Sequence, residues 1–335
     1  MTIGWGILGA GDIARKQTAR AIGAARNARL AAVLRRDLAA ARAFADEFGA
    51  DRAYDQIDAL LADPAVHAVY IATPVHLHAG HTLAAARAGK HVLVEKPMAL
   101  STAECSAMLA ACRAAGVRLM VSYYQRFNAR HQQVRELVAH GAIGQVTMAQ
   151  ARQVFLYPPE AGNWRQDPAR GGGGALMDVG VHCLDTLRFI LGEVEAVAAQ
   201  VATLAFPYAV DDTATLLLRF QSGVQAVVSA AFSIASVPDS DYLELCGTGG
   251  RIWTAPLNAK DSRGALRVLT PAGEHQFTYE QGTHRAMIEA ISASLEAGSA
   301  VPVPGEEGWR GLAVIEAAYA SARTGRWVRV AGPTM

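Results

Sequence analysis

Three groups of residues in this chain have types and spacings that can do chemistry. The first is Gly9-Ala10-Gly11-Asp12-Ile13-Ala14, a G-x-G-x-x-A pattern placed after a short apolar run, Ile3–Leu8, and at the head of an Ala-rich stretch, Asp12–Ala24. A strand followed by a helix is the setting in which that pattern binds a dinucleotide. Gly9 permits the tight turn, Gly11 lets the backbone approach a pyrophosphate, and Ala14 lets helix and strand pack closely. The helix start adds unpaired N–H groups, here those of Ala10, Asp12 and Ile13, and the positive end of the helix dipole. The same turn without a ligand is the plainer alternative.

The second group is Glu95-Lys96-Pro97, directly after the apolar run His91–Val94. In a parallel sheet ligands bind beyond the carboxyl ends of the strands, so Lys96 is expected to face a cofactor crevice. The proline restricts Lys96 to extended backbone. A lysine beside a cationic ring can exchange a proton with a substrate hydroxyl; a surface lysine in a turn is the alternative. The third group runs from Gly171-Gly172-Gly173-Gly174 to Asp178 and His182. The glycines admit close approach of a ligand or of another backbone. Asp178 and His182 stand at i and i+4 and share a helix face. His182 is suited to general acid–base work near pH 7, with Asp178 orienting it or touching substrate.

These groups need elements to hold them. Up to about residue 122 the chain alternates apolar runs with Ala-rich helical stretches, each ended by glycine: Leu30–Leu34, Leu38–Phe48, Ala68–Ile71, His76–Ala88, His91–Val94, Ser101–Ala115 and Arg118–Val121. Ser101 and Glu104 form a capping box. That alternation predicts a doubly wound parallel sheet. From Tyr123 the pattern changes. A helix (Ala129–His140), a strand (Val146–Phe155), a loop rich in Pro, Gly and aromatics, and a helix (Leu176–Leu191) lead into successive strands: Val194–Ala202, Ala214–Phe220, Val224–Phe232, Tyr242–Cys246 and weaker ones to about Tyr279. Two helices, Thr283–Ala297 and Trp309–Thr324, and a strand, Trp327–Val330, close the chain. The second part reads as an α+β domain with a mostly antiparallel sheet. The expected domains are 1–122 and 123–335.

The end of the second strand bears on cofactor choice. An acid there binds the ribose hydroxyls of NAD. This chain has Arg35-Arg36 followed by Asp37. Guanidiniums pair a 2′-phosphate, which predicts a preference for NADP(H), with NAD(H) kept open by Asp37.

Bulk properties exclude other classes. The 31 basic and 30 acidic side chains leave a net charge of +1, which argues against nucleic-acid binding. Charged residues are 18% of the chain and hydrophobic ones 51%, which argues against disorder. No long apolar run suggests a membrane span, and no leader pattern opens the chain. The cysteines, Cys105, Cys112, Cys183 and Cys246, form no C-x-x-C pair and read as reduced thiols of a cytoplasmic protein. His76, His78 and His81 have no carboxylate or cysteine close by in sequence, so no metal is expected.

Taken in order, Gly9-x-Gly11-x-x-Ala14, Thr73-Pro74 with His76 and His78, Ala88 to Pro97, and Gly172-Gly173-Gly174-Ala175-Leu176-x-Asp178-x-Gly180-x-His182-x-x-Asp185 resemble the Gfo/Idh/MocA oxidoreductases, the group of glucose–fructose oxidoreductase and inositol dehydrogenase. The resemblance covers most of the chain and is strongest over residues 1–190. It implies a Rossmann domain, a second domain whose open sheet joins subunits into a homodimer or homotetramer, and hydride transfer between a nicotinamide and a hydroxyl or carbonyl carbon of a sugar, polyol or cyclitol. It implies that Lys96 bonds the reacting oxygen, that His182 is the acid–base group assisted by Asp178, and that Thr73, Pro74, His76 and Glu95 lie against the cofactor. Tyr157-Pro158-Pro159 with Trp164-Arg165 is similar to anhydrofructose reductase and its relatives, which implies Tyr157 near substrate and Trp164-Arg165 near cofactor and substrate. Tyr123-Tyr124-Gln125-Arg126 falls in a variable stretch that shapes the substrate pocket, with Arg126 implied as a contact. Two further readings stand beside this one. One is a dinucleotide-binding sensor without catalysis. The other is an oxidoreductase acting on a non-sugar such as a trans-dihydrodiol.

Overall fold

A computed structural model describes residues 2–258, 264–277, 279 and 283–332. The chain forms two compact units, one made of Met1–Tyr124 with His284–Trp309, the other of Gln125–Thr283 with Arg310–Met335.

In the first unit β1 (Ile3–Leu8) leads through a widened turn, Ala14–Thr18, into α1 (Ala19–Ala24). Then come β2 (Ala28–Leu34), α2 (Leu38–Phe48), β3 (Arg52–Tyr54), α3 (Ile57–Ala62), β4 (Ala68–Ile71), α4 (His78–Arg87), β5 (His91–Val94), α5 (Thr102–Ala114) and β6 (Leu119–Val121). The strands pair in the order β3-β2-β1-β4-β5-β6, every pair parallel. This is the strand order of a dinucleotide-binding fold, with its switch point between β1 and β4. β1 and β4 are buried along their whole length, which is why they read as continuous apolar runs.

The caps explain where the helices lie. Asp37 accepts the N–H of Ala40 at 2.7 Å and starts α2, and Gly49 ends it at φ +68°. Ser101 accepts the N–H of Glu104 at 3.2 Å, while the Glu104 carboxylate accepts the N–H of Leu100 at 3.0 Å. Glu104 therefore reaches one residue further back than in the usual capping box. β3 and α3 lie outside the expected elements; each is too short to show a period.

The second unit holds α6 (Ala129–Ala139), β7 (Val146–Val154), α7 (Pro168–Gly171), and a widened turn, Leu176–Gly180, that opens α8 (Val181–Leu191). β8 (Val194–Ala202), β9 (Thr213–Phe220), β10 (Gln225–Ala231), β11 (Tyr242–Gly247), β12 (Gly250–Ala255), β13 (Ala265–Thr270) and β14 (Gly273–Phe277) follow. The sheet order is β14-β13-β12-β11-β7-β10-β9-β8-β15, where β15 is Val328–Arg329. β7 and β10 run parallel; the other neighbours are antiparallel. The expected turn at Gln221-Ser222-Gly223 joins β9 to β10, with Gly223 at φ +88°. β9 alternates buried and exposed residues, the mark of a sheet covered on one face. α8 lies on the covered face, against β7 and β10, and its residues Val181–Arg188 are all buried.

Residues 284–309 do not stay with the second unit, although the chain returns to it at Arg310. The helix α9 (Thr283–Ala297) sends Ser292 to the Trp5 indole N–H at 3.1 Å, and Val303 accepts the N–H of Val121 at 3.3 Å. Both contacts belong to the first unit, whose core also takes Met287, Ile288 and Ile291. The following helix, α10 (Gly305–Thr324), begins four residues before the expected Trp309. No helix of the described residues is long and apolar enough to cross a membrane. Cys105, Cys112 and Cys183 are buried, Cys246 is half-buried, and none of the four is in a disulfide.

Candidate active site

In the first unit the site residues sit where strands β1, β4 and β5 end. Gly9 follows β1 at φ +86°, a conformation glycine adopts freely. A Cβ there would meet the Thr73 N at 2.9 Å, so the fold itself requires Gly9. Gly11 is different: a Cβ on it would find nothing nearer than the Gly9 oxygen at 3.9 Å. The packing of the chain therefore gives no reason for glycine at this position, and the space beside it suits a ligand. The N–H groups of Gly9 and Ala10 both go to the Leu34 carbonyl, at 3.2 and 3.1 Å. Ala10 thus serves the turn. The N–H groups at the start of the following helix, from Asp12 and Ile13, are those that a helix leaves without internal partners. Ala14 is fully buried, as close packing requires.

Arg35 and Arg36 follow β2. Neither side chain makes a hydrogen bond or ion pair among the described residues. Asp37 is committed to capping α2.

Beyond β4, Thr73 and Pro74 lead into a single turn, Val75–Leu77. The Nδ1 of His76 is buried without a hydrogen-bond partner among the described residues. His78 is fully buried, with Nε2 2.8 Å from the Thr73 carbonyl and Nδ1 3.1 Å from the Pro97 carbonyl. Burial pushes this imidazole down to about 4 despite those two carbonyls. It is therefore neutral at pH 7 and donates to one carbonyl at a time. His81 reaches the Thr73 hydroxyl at 3.2 Å.

Beyond β5, Glu95 is only 7% exposed. One carboxylate oxygen accepts the Tyr70 hydroxyl at 2.5 Å, and the other accepts the Lys96 N–H at 3.1 Å. Expected against the cofactor, Glu95 instead spends both oxygens inside the protein. The Lys96–Pro97 bond is cis.

In the second unit Asp178 lies in the widened turn and His182 in the first turn of α8. A widened turn takes more residues per revolution, which brings i and i+4 nearer to one line. His182 is buried, and Asp178 is partly exposed with Arg165 Nε 3.8 Å from its carboxylate. The Arg165 guanidinium lies 4.3 Å from the centre of the Trp164 ring. Trp164, Arg165 and Asp178 thus form a connected group.

The start of α8 is held by a residue that sequence reasoning missed. Asp211 accepts the N–H of Gly174 at 2.9 Å and that of Leu176 at 2.8 Å, and its backbone carbonyl accepts Ala175 at 2.8 Å. The Tyr319 hydroxyl donates to the same carboxylate at 2.7 Å. Burial, and then this carboxylate, push the Tyr319 hydroxyl well above its usual range, so it stays a donor. A Cβ on Gly174 would overlap the Asp211 carbonyl oxygen, and one on Gly173 the Tyr319 hydroxyl. No local signal links Asp211 to a helix start so far away in the chain.

Tyr157 packs its ring on Phe155 and Phe232, and its hydroxyl accepts from Asn163 Nδ2 at 2.6 Å. Asn163, also missed, accepts the Arg165 N–H at 3.1 Å and so shapes the turn that presents Trp164 and Arg165. Arg126, implied as a substrate contact, forms a two-pronged pair with the buried Asp185, at 2.6 Å from Nη2 and 3.0 Å from Nε. The sequence offered Asp185 one turn beyond His182 but no sign of its partner.

Residues 3–123 match an oxidoreductase family with an NAD-binding Rossmann fold, and residues 131–253 match the GFO/IDH/MocA C-terminal domain. The chain is 33% identical to 1,5-anhydro-D-fructose reductase of Ensifer adhaerens, over 94% of this chain and 96% of that one. It is 35% identical to D-xylose 1-dehydrogenase (NADP(+)) 2 of Haloferax volcanii, over 97% and 99%. Among solved structures, the aldose-aldose oxidoreductase of Caulobacter crescentus superposes with a TM-score of 0.91 at 32% identity, covering 98% of this chain and all of that one (100%).

Proposed function

Because the chain belongs to the GFO/IDH/MocA oxidoreductase family, we propose that it moves a hydride between a nicotinamide and the hydroxyl or carbonyl carbon of a sugar, polyol or cyclitol, with NADP(H) preferred. The observation that carries the reading is the β1 turn, where Gly11 leaves space that the fold does not use beside a helix start. Three more features fit a dinucleotide. The side chains of Arg35 and Arg36 have no partner among the described residues, His76 keeps an unsatisfied buried nitrogen there, and Asp37 is engaged as a cap. The Haloferax volcanii relative is named for NADP(+), in line with the paired arginines.

A bound nicotinamide supplies the hydride acceptor or donor at its C4. The chain's own residues handle the oxygen and its proton. In the oxidising direction Lys96 donates a hydrogen bond to the substrate oxygen, and the imidazole of His182 takes the hydroxyl proton. Asp178 orients His182. Arg165, beside Asp178 and over Trp164, holds the approach to that helix face. Trp164, Tyr157 and Arg126 contribute the apolar and charged walls of the substrate side. The enzyme works in the cytoplasm as a homodimer or homotetramer. The supporting feature is the uncovered face of the second sheet, where Leu217 is 49% and Met148 53% exposed.

The test is a panel of aldoses, polyols and cyclitols with both cofactors in both directions. We expect kcat/KM with NADP(H) to exceed that with NAD(H) by about tenfold or more, a difference of about 1.4 kcal/mol. Lys96→Ala and His182→Ala should each lose about 10²-fold or more in kcat. Preference for NADH, or near-normal kcat in both variants, removes the corresponding part of the reading.

A further inference from the structure

Tyr70 is the one aromatic residue of β4, whose other members are Ala68, Val69 and Ile71. The strand is buried throughout, and Tyr70 is 0% exposed. A phenol in such a place needs a partner for its hydroxyl. Its partner is Glu95, at the carboxyl end of the neighbouring strand β5, whose Leu93 pairs with Tyr70 in register. The Glu95 carboxylate is itself out of water, and its second oxygen holds the backbone N–H of Lys96. A hydroxyl fixed inside the sheet is thereby tied through one carboxylate to the backbone of the residue that carries the amine.

We propose that Tyr70 is a positioning residue for Lys96, acting through the Glu95 carboxylate. The inference rests on the assignment of Lys96 to the reacting oxygen. The Glu95 side chain turns about three bonds, and the Tyr70 hydroxyl fixes the oxygen that faces β4. The tie uses both carboxylate oxygens, one accepting the Tyr70 hydroxyl and the other the Lys96 N–H. Burial, and then the negative charge of Glu95, push the Tyr70 hydroxyl well above its usual range, so it remains a donor at any working pH. The Pro97 carbonyl, on the far side of Lys96, faces His78 at 3.1 Å. The turn is thus gripped on both flanks, and the flank that includes Tyr70 acts directly on the Lys96 peptide.

The variant Tyr70→Phe removes a single oxygen and keeps the ring. A displaced amine costs turnover steeply, so kcat should fall by about tenfold or more, since misplacements of about 1 Å can cost 10². The Kd for NADPH, read by protein fluorescence in the absence of substrate, should stay within about twofold, a shift of under about 0.5 kcal/mol. Glu95→Gln, which keeps the size but turns one acceptor into a donor, should reproduce the loss and serves if Tyr70→Phe does not fold. The decisive measurement is a cycle with Lys96→Met. If Tyr70 acts through Lys96, adding Tyr70→Phe to Lys96→Met lowers kcat no further. Normal kcat in Tyr70→Phe and Glu95→Gln beside a crippled Lys96→Met overturns the proposal alone. The same holds if the effects of Tyr70→Phe and Lys96→Met simply multiply. Near-normal kcat in Lys96→Met overturns the assignment of Lys96 and the proposal with it.

Discussion

The helix after Gly9–Gly11 and the helix after Gly171–Gly174 both open on a widened turn, Ala14–Thr18 in one and Leu176–Gly180 in the other. Each follows a glycine-rich stretch and lies in its own unit. The glycines differ in what surrounds them. In the second stretch every glycine is explained from inside. Gly171 lies against the Trp164 carbonyl, Gly172 has φ +80°, Gly173 yields to Tyr319, and Gly174 to Asp211. In the first, Gly9 is explained in the same way, but Gly11 is not. Glycine richness before a helix therefore marks crowding as readily as binding. The informative glycine is the one that the fold leaves room around.

The largest expected effect tests the crowded side. Gly174→Ala must push a methyl group into the Asp211 backbone, and no flexible side chain can yield. We expect a loss of about 3 kcal/mol or more, read as insolubility or a collapsed urea midpoint. A Gly174→Ala protein with the native midpoint would break the comparison. Asp211→Ala comes next. It strips an acceptor from the N–H groups of Gly174 and Leu176 and from the Tyr319 hydroxyl. It should cost about 2 kcal/mol, as buried groups left unsatisfied do. Tyr319→Phe, which removes only one of those donors, should cost less in the same denaturation experiment.

What the sequence made legible follows the same divide between local and distant causes. β4, β5, β8, α2 and α9 fall where period and caps put them, because Asp37, Gly49 and their like act within a few residues. The order of motifs also identified the family. Contacts between remote residues were not legible. Asp211 reaches the start of α8 from a loop between strands, and Arg126 finds Asp185 across 59 positions. Glu95 was expected at the cofactor because of its place in a motif, whereas its partner Tyr70 is visible only once β4 and β5 are paired. The widened turns were also hidden, since a period of 3.6 residues assumes a uniform helix. The assignment of residues 284–309 depends on which core receives an amphipathic face, and periodicity shows the face without its destination.

The open side of the comparison predicts a change in binding with little change in stability. Gly11→Ala has space for its methyl group and a φ outside the left-handed region. Its stability should stay within about 1 kcal/mol of the parent, on the stabilising side, because alanine lowers the entropy of the unfolded chain. Its Kd for NADPH should rise about tenfold or more, since the methyl group occupies the approach to the pyrophosphate. Destabilisation as large as that of Gly174→Ala would erase the distinction between the two stretches.

The smallest effect sharpens the reading of the strand end beside the first stretch. Asp37 has two candidate roles, cap of α2 or ligand of a ribose hydroxyl. Asp37→Asn separates them, because asparagine caps a helix about as well as aspartate but lacks its charge. As a cap, Asp37 accepts the Ala40 N–H, which the side-chain carbonyl oxygen of an asparagine would accept equally. Stability should then change by less than about 0.5 kcal/mol. The kcat/KM for NADH should also hold, because no ribose contact is lost. A ribose ligand behaves otherwise: losing the charge would weaken NADH and leave NADPH favoured still more. A fall in kcat/KM confined to NADH would return Asp37 to the cofactor and make Arg35 and Arg36 bystanders; unchanged NADH kinetics with an unchanged melting curve leave the arginines as the groups at that strand end that face a phosphate.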